Sequence, residues 1–186
     1  MGKLIYSAIS SLDGFIEGKD GKFDWAMPGD DAHAFINDLM RPIGTHLYGR
    51  RLYEVMIVWE TDPSLAAQSA TMEEFARLWQ AANKVVFSRT LQMVATRRTR
   101  IEREFDPEAI RRMKVREERD LVIGGAELAA EAFRADLIDE CQLFLAPISV
   151  GGGKRCLPSG FRLHLELLGQ RQFSDGMVYL NYRIKK

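Results

Sequence analysis

Cysteine is scarce in this chain: Cys141 and Cys156 are the only two, and no Cys-x-x-Cys pair occurs. Two cysteines cannot build a disulfide scaffold. Cys141 opens the apolar run Cys141-Gln142-Leu143-Phe144-Leu145 and is expected to be a buried thiol. Long hydrophobic runs are missing as well. Nothing approaches the roughly 18–20 apolar residues that a bilayer span needs, and the start, Met1 to Tyr6, shows no signal-peptide pattern. A cytoplasmic protein that does not engage a membrane is expected. There is no excess of either charge, since 26 basic residues balance 26 acidic ones. That balance argues against broad electrostatic capture of nucleic acid, and it leaves room for a local basic pocket around a phosphate. His33, His46 and His164 stand at no metal-ligand spacing, so no metal site is expected. The Gly-x-Gly-x-x-Gly fingerprint is absent, and Gly151-Gly152-Gly153-Lys154 lacks the spacing of a phosphate-binding Walker loop.

What is present suits one domain over residues 1–186. Short apolar runs alternate with helical patterns. Residues 4–9, 46–48, 84–88, 121–123 and 141–145 read as strands. A helix is expected from Asp30 or Asp31, both good N-cap types, with Phe35, Ile36, Leu39 and Met40 on its apolar face. Thr71-Met72-Glu73-Glu74 has capping-box spacing, and Phe75, Leu78, Trp79 and Ala82 recur behind it at helical intervals. Asp106-Pro107 supplies another cap and first-turn proline. The segment Arg97-Arg98-Thr99-Arg100 reads as a solvated face. Toward the end, Phe161, Leu163, Leu165 and Leu167 alternate, Ser174-Asp175-Gly176 turns, and Val178, Leu180, Tyr182 and Ile184 alternate again, which is a hairpin pattern. The pattern predicts a mostly parallel α/β sheet with an antiparallel edge. A terminal hairpin rich in Leu and Tyr also predicts a homodimer, because sheet edges and apolar patches need cover.

Three strand ends carry groups suited to an anion. Leu121-Val122-Ile123-Gly124-Gly125-Ala126 runs from strand to helix through two glycines, which either let a diphosphate approach the backbone or merely make a tight turn. Gly49 leads into Arg50 and Arg51 in a first helical turn, where cations conflict with the helix dipole unless an anion lies near; solvation is the alternative. Ser88-Arg89-Thr90 follows the next strand, and an arginine there suits a 2′-phosphate. Open α/β sheets bind ligands at such carboxyl ends.

In order along the chain come Ser10-Ser11-Leu12-Asp13-Gly14, Gly49-Arg50-Arg51-Leu52-Tyr53-Glu54, residues 84–91, Gly124-Gly125-Ala126-Glu127-Leu128, and Ile138-Asp139-Glu140 leading to Pro147 and Gly151-Gly152-Gly153. This ordered set resembles the dihydrofolate reductase-like superfamily, and within it the reductase domain of bifunctional riboflavin-biosynthesis deaminase-reductases. The resemblance implies a three-layer α/β/α fold and an NADPH-dependent reductase. Such an enzyme transfers a hydride to a pyrimidine- or pterin-like heterocycle, as 5-amino-6-(5-phosphoribosylamino)uracil reductase does. By the same resemblance Gly49, Arg50, Arg51, Ser88, Arg89, Thr90, Gly124, Gly125, Ala126 and Leu128 line the NADPH site, and Ala8 and Ile16 flank the nicotinamide. Leu52 stands where the motif often has Thr. For the acid, Asp31 sits at the start of the helix that carries it in dihydrofolate reductases, Asp30 is equally placeable by spacing, and Asp13 precedes a bend; capping for the first two and turn formation for Asp13 are the alternative roles. A cradle of the same fold that binds the nucleotide and has lost the chemistry is the rival reading.

Overall fold

The computed structural model describes residues 1–185 and is built on one eight-stranded sheet. In chain order the strands are β1 (Leu4–Ser11), β2 (Phe15–Glu17), β3 (Ile43–Gly49), β4 (Asn83–Phe87), β5 (Thr99–Glu102), β6 (Asp120–Gly124), β7 (Glu140–Ala146), β8 (Lys154–Arg155), β9 (Leu165–Gln172) and β10 (Val178–Ile184). The helices are α1 (Asp30–Met40), α2 (Arg50–Met56), α3 (Val58–Thr61), α4 (Pro63–Ala66), α5 (Ala70–Ala81), α6 (Pro107–Arg116) and α7 (Ala126–Arg134). The main sheet runs β5-β4-β3-β6-β1-β7-β10-β9, and β2 pairs with β8 in a small separate ribbon. β5 through β7 are parallel; β10 and β9 are antiparallel.

Parallel strands need both faces covered, and two helical layers do this. Leu47, Val85, Leu121 and Ile123 face Ile110 of α6 and Leu128, Ala129 and Phe133 of α7. On the other face Tyr48 and Val86 meet Tyr53, Phe75 and Trp79, while Phe144 and Tyr179 lie under Phe35 of α1. The expected three layers and the closing hairpin are therefore present.

Several local expectations need correction. The N-cap of α1 is Gly29, with no side-chain cap, so Asp30 and Asp31 occupy its first turn. Ser69, not Thr71, caps α5, its hydroxyl accepting from the Met72 amide at 3.1 Å. The cap at Asp106 is as expected. Residues 99–102 form an edge strand rather than a plain solvated segment: alternate residues are half-buried against β4 while the arginine side chains stay in water. Phe161 and Leu163 precede β9, which starts only at Leu165. No helix among the described residues is long and apolar enough to cross a membrane.

The sheet also encloses polar groups. His46 is buried, with Nδ1 2.9 Å from the Tyr48 hydroxyl, and that hydroxyl accepts from Trp79 Nε1 at 3.1 Å. Lys84 donates to the carbonyls of Trp79 and Ala82, both at 3.1 Å, and burial brings its ammonium down to about 8. Burial, then the Lys84 charge, lower His46 to about 3. The unfolded chain protonates this histidine near 6.5 while the fold keeps it neutral, so the residue erodes stability as pH falls from there toward 3. The cost should reach about 2 kcal/mol between pH 7 and pH 5. Urea unfolding at both pH values should show a smaller difference for His46→Gln than for the parent. Equal differences would mean that other groups carry the acid sensitivity.

Candidate functional site

Because β1, β3, β4, β6 and β7 are parallel, their carboxyl ends meet on one edge of the sheet, and the loops there converge. At the tip of β3, Gly49 has φ −72° and ψ 161°, extended backbone open to any residue. A Cβ built on it meets nothing within 4 Å. Gly49 is the N-cap of α2, where glycine is preferred over apolar residues, and it also leaves the strand tip bare for a ligand. Gly124 differs, since a Cβ there would fall 2.5 Å from Leu52 Cδ2. Gly125 has φ +90° and serves as N-cap of α7 without any side-chain cap. Amides in the first turn of α7 are thus left without side-chain acceptors, and the helix dipole adds positive potential. Ala126 and Leu128 are buried; the Leu128 side chain belongs to the core, so only its backbone remains on this rim.

The cations sort themselves by their partners. Arg50 donates to Glu54 at 2.7 Å and to Thr90 Oγ1 at 2.9 Å, which ties the β3 and β4 tips together. Arg51 reaches back to Glu17 at 3.3 Å, and Lys154 links Glu17 (3.4 Å) to Glu127 of α7 (3.0 Å). This cluster of Glu17, Arg51, Glu127 and Lys154 is missing from the sequence reading, because its members come from four separate segments. Arg89 is the least engaged of these: its side chain is 81% exposed and its only ion pair among the described residues, with Glu104, is 3.9 Å long. Ser88 is buried and its Oγ accepts from the amides of Thr90 (3.3 Å) and Leu91 (3.0 Å), so its hydroxyl shapes the turn. Arg103 braces the same turn by donating to the carbonyls of Ser88 and Leu91.

The edge continues into a cleft beside β1. β6 pairs with β1 only as far as Tyr6, whereas β7 follows it to Ser11. Beyond Tyr6, the β6-side edge of β1 has no strand partner among the described residues. Lys3 O accepts from Leu121 on the β6 side and Leu4 O accepts from Asp139 on the β7 side, so alternation directs the backbone of Ser7 and Ile9 toward the open edge. Ala8 points its backbone toward β7 and packs its side chain beside the α7-facing core. One strand residue either way decides this, and an apolar run does not reveal it. Ile16, on β2, is half-buried against that same core.

The two carboxylates expected to supply a proton are otherwise occupied. Asp13 accepts from the amides of Val150 (3.1 Å) and Gly151 (2.7 Å), fastening the loop after β1 to the glycine-rich loop after β7. Hydrogen bonds from Ser11 and from those two amides hold it well below the usual carboxylate range. Asp31 Oδ2 accepts from the Ser174 amide at 2.9 Å, which lowers it also, and Asp175 in turn accepts from the Gly29 amide at 2.7 Å. That reciprocal clip fastens the start of α1 to the β9–β10 turn. Both acids remain ionised acceptors, an arrangement suited to holding loops. A surface hollow of about 500 Å³ is lined by Glu60, Gln80, Ala81, Arg97 and Arg98. It lies where β4 begins, away from the strand tips, and shares none of the groups above.

The model of the RibD C-terminal domain matches residues 2–179. The uncharacterized protein YyaP of Bacillus subtilis (strain 168) is 30% identical over 185 residues, covering 97% of this chain and 94% of that protein. A Shewanella sp. PV-4 protein named for riboflavin biosynthesis superposes with a TM-score of 0.75 at 21% identity, covering 99% of each chain. A diaminohydroxyphosphoribosylaminopyrimidine deaminase/5-amino-6-(5-phosphoribosylamino)uracil reductase from Thermotoga maritima gives 0.66 at 17% identity. There the match covers 99% of this chain and 57% of the larger one. Both structural likenesses are likenesses of fold.

Proposed function

This chain belongs to the RibD C-terminal domain family, and from that premise we propose that it is an NADPH-dependent reductase acting on a flat pyrimidine- or pterin-like heterocycle. The observation that carries the reading is Gly49, bare at a strand tip with open space above it, and Arg50 and Thr90 bridged beside it. The dinucleotide, when bound, supplies the hydride. The chain's own groups bind and orient. Amides at the start of α7 and the Gly124-Gly125 turn would donate to the diphosphate, with the glycines sparing it any side chain. Arg89, nearly unpaired, meets the 2′-phosphate. The open backbone of Ser7 and Ile9 offers alternating donors and acceptors to a planar amide. With Asp13 and Asp31 committed to backbone amides, the proton that completes the reduction comes from water in the half-open cleft.

Fluorescence titration with NADPH and NADH, followed by the loss of 340 nm absorbance with a panel of aminopyrimidines and pterins, tests the reading. Arg89→Ala should weaken NADPH at least tenfold and leave NADH within twofold, since one charge-assisted contact is worth about 1.5–3 kcal/mol. Equal weakening of both would remove Arg89 from the phosphate. Tight binding without oxidation by any acceptor would favour a nucleotide-binding module instead.

A further inference from the structure

β9 ends the main sheet, and no strand covers its outer edge among the described residues. The edge is long and lightly defended. Leu165–Gln172 contains neither Pro nor Lys, and Leu165, Leu167 and Leu168 are exposed, Leu167 by 51%. Proteins usually shorten or charge such an edge, because its unpaired amides and carbonyls will take another strand. Here the two charges of the strand are drawn inward over the α1 face. Arg171 lies 4.9 Å from the Phe35 ring and 5.2 Å from that of Phe173, and Glu166 accepts from Arg183 at 3.2 Å.

Pairing inside the hairpin fixes which backbone groups are open. Phe173 donates to Met177 at one end and Lys185 donates to His164 at the other, both at 2.9 Å. Antiparallel alternation from those ends turns Arg171, Gly169 and Glu166 toward β10. It leaves Leu165, Leu167, Gln170 and Gln172 facing outward. The count skips at Leu168, an extra residue between Leu167, opposite Tyr182, and Gly169, opposite Asn181.

A bulge normally spoils an edge for pairing. Two copies of this one cancel. About an antiparallel axis between Leu168 and Gly169, Leu165 stands opposite Gln172 of the partner subunit and Leu167 opposite Gln170 of the partner subunit. Open backbone thus meets open backbone along the full strand. In the same register Glu166 faces Arg171 of the partner subunit on the α1 side. Leu168 meets Gly169 of the partner subunit, at a position where a Cβ would find nothing within 4 Å.

We propose that the chain forms a two-fold dimer by this self-pairing of β9, which joins the two main sheets into one. A second copy is the occupant because the strand complements itself in backbone pattern, charge and side-chain volume at once. An unrelated strand would have to match a bulge at one fixed place.

Sedimentation velocity and light scattering on the full chain test this. The parent should run as a dimer at micromolar concentration. Glu166→Arg sets like charges against each other on both sides of the axis and should weaken the dimer at least about tenfold. Adding Arg171→Glu exchanges the charges and should restore the parent's affinity to within about threefold. Gln170→Pro removes an outward amide that β10 does not use, so it should give a folded monomer with the parent's circular dichroism. A parent that stays monomeric at high micromolar concentration would overturn the proposal. So would a dimer indifferent to Glu166→Arg, or one that the double exchange leaves broken. Should Gln170→Pro fail to fold, the charge exchange alone decides.

Discussion

A Gly49→Val variant should fold as well as the parent and bind NADPH at least a hundredfold more weakly. The two halves of this expectation come from one geometry. At φ −72° and ψ 161° the backbone suits a β-branched residue, and the added side chain starts in open space. Losing glycine narrows the unfolded ensemble while a β-branched N-cap on α2 is unfavourable, so the two effects oppose and stability should stay within about 1 kcal/mol of the parent's. The isopropyl group would then occupy the rim above the β3 tip, beside the bridge between Arg50 and Thr90. A hundredfold loss corresponds to about 2.7 kcal/mol, within the usual range for forcing extra carbons into a fitted contact. Thermal unfolding and NADPH titration on the same preparation separate the two halves. Undiminished affinity in a well-folded variant would mean the dinucleotide does not lie on this strand tip.

Gly153→Ala should do the opposite, destabilising the whole protein by about 4 kcal/mol or more. A Cβ on Gly153 would stand 1.9 Å from the Glu17 carbonyl oxygen and within 3 Å of two further backbone carbons, at φ +138°. Backbone faces backbone there, and no flexible side chain can move aside. Relief requires β8 to leave β2, which breaks the link from Lys154 to Glu17 and frees the partner of Arg51. Gly151 provides the control in the same loop. It has φ +70° but open space around it, so Gly151→Ala should cost only about 1–2 kcal/mol of left-handed strain. Urea denaturation of both variants checks the contrast; a Gly153→Ala midpoint near that of Gly151→Ala would refute it.

The contrast between these glycines marks how far sequence reasoning reaches. Gly49, Gly124 and Gly153 look alike as letters beside apolar runs. Their neighbours in space give them three different reasons: an empty rim, a Leu52 methyl, and the Glu17 carbonyl. The same holds for acids. Asp30 and Asp31 have the composition of an N-cap, yet Gly29 takes that position, because the β9–β10 turn draws Asp31 to Ser174 and places Asp175 on the Gly29 amide. Where the cap partner is local, as at Asp106-Pro107, the sequence reading holds. β2 and β8 carry too few residues to show a period, and β5 is masked by the arginine-rich run Arg97-Arg98-Thr99-Arg100 that leads into it.

The order of the main strands β1, β3, β4, β6 and β7, the mostly parallel sheet with its closing hairpin and the segments that reach the strand ends were decided by the sequence alone. Hydrophobic period, helix stops and glycine at strand ends are local properties, readable from neighbouring residues. Tertiary structure alone decided which backbone edge of β1 is open and that Asp13 and Asp31 fasten loops. Each of those depends on pairing register between strands or loops far apart in the chain, and a shift of one residue turns every side chain to the other face.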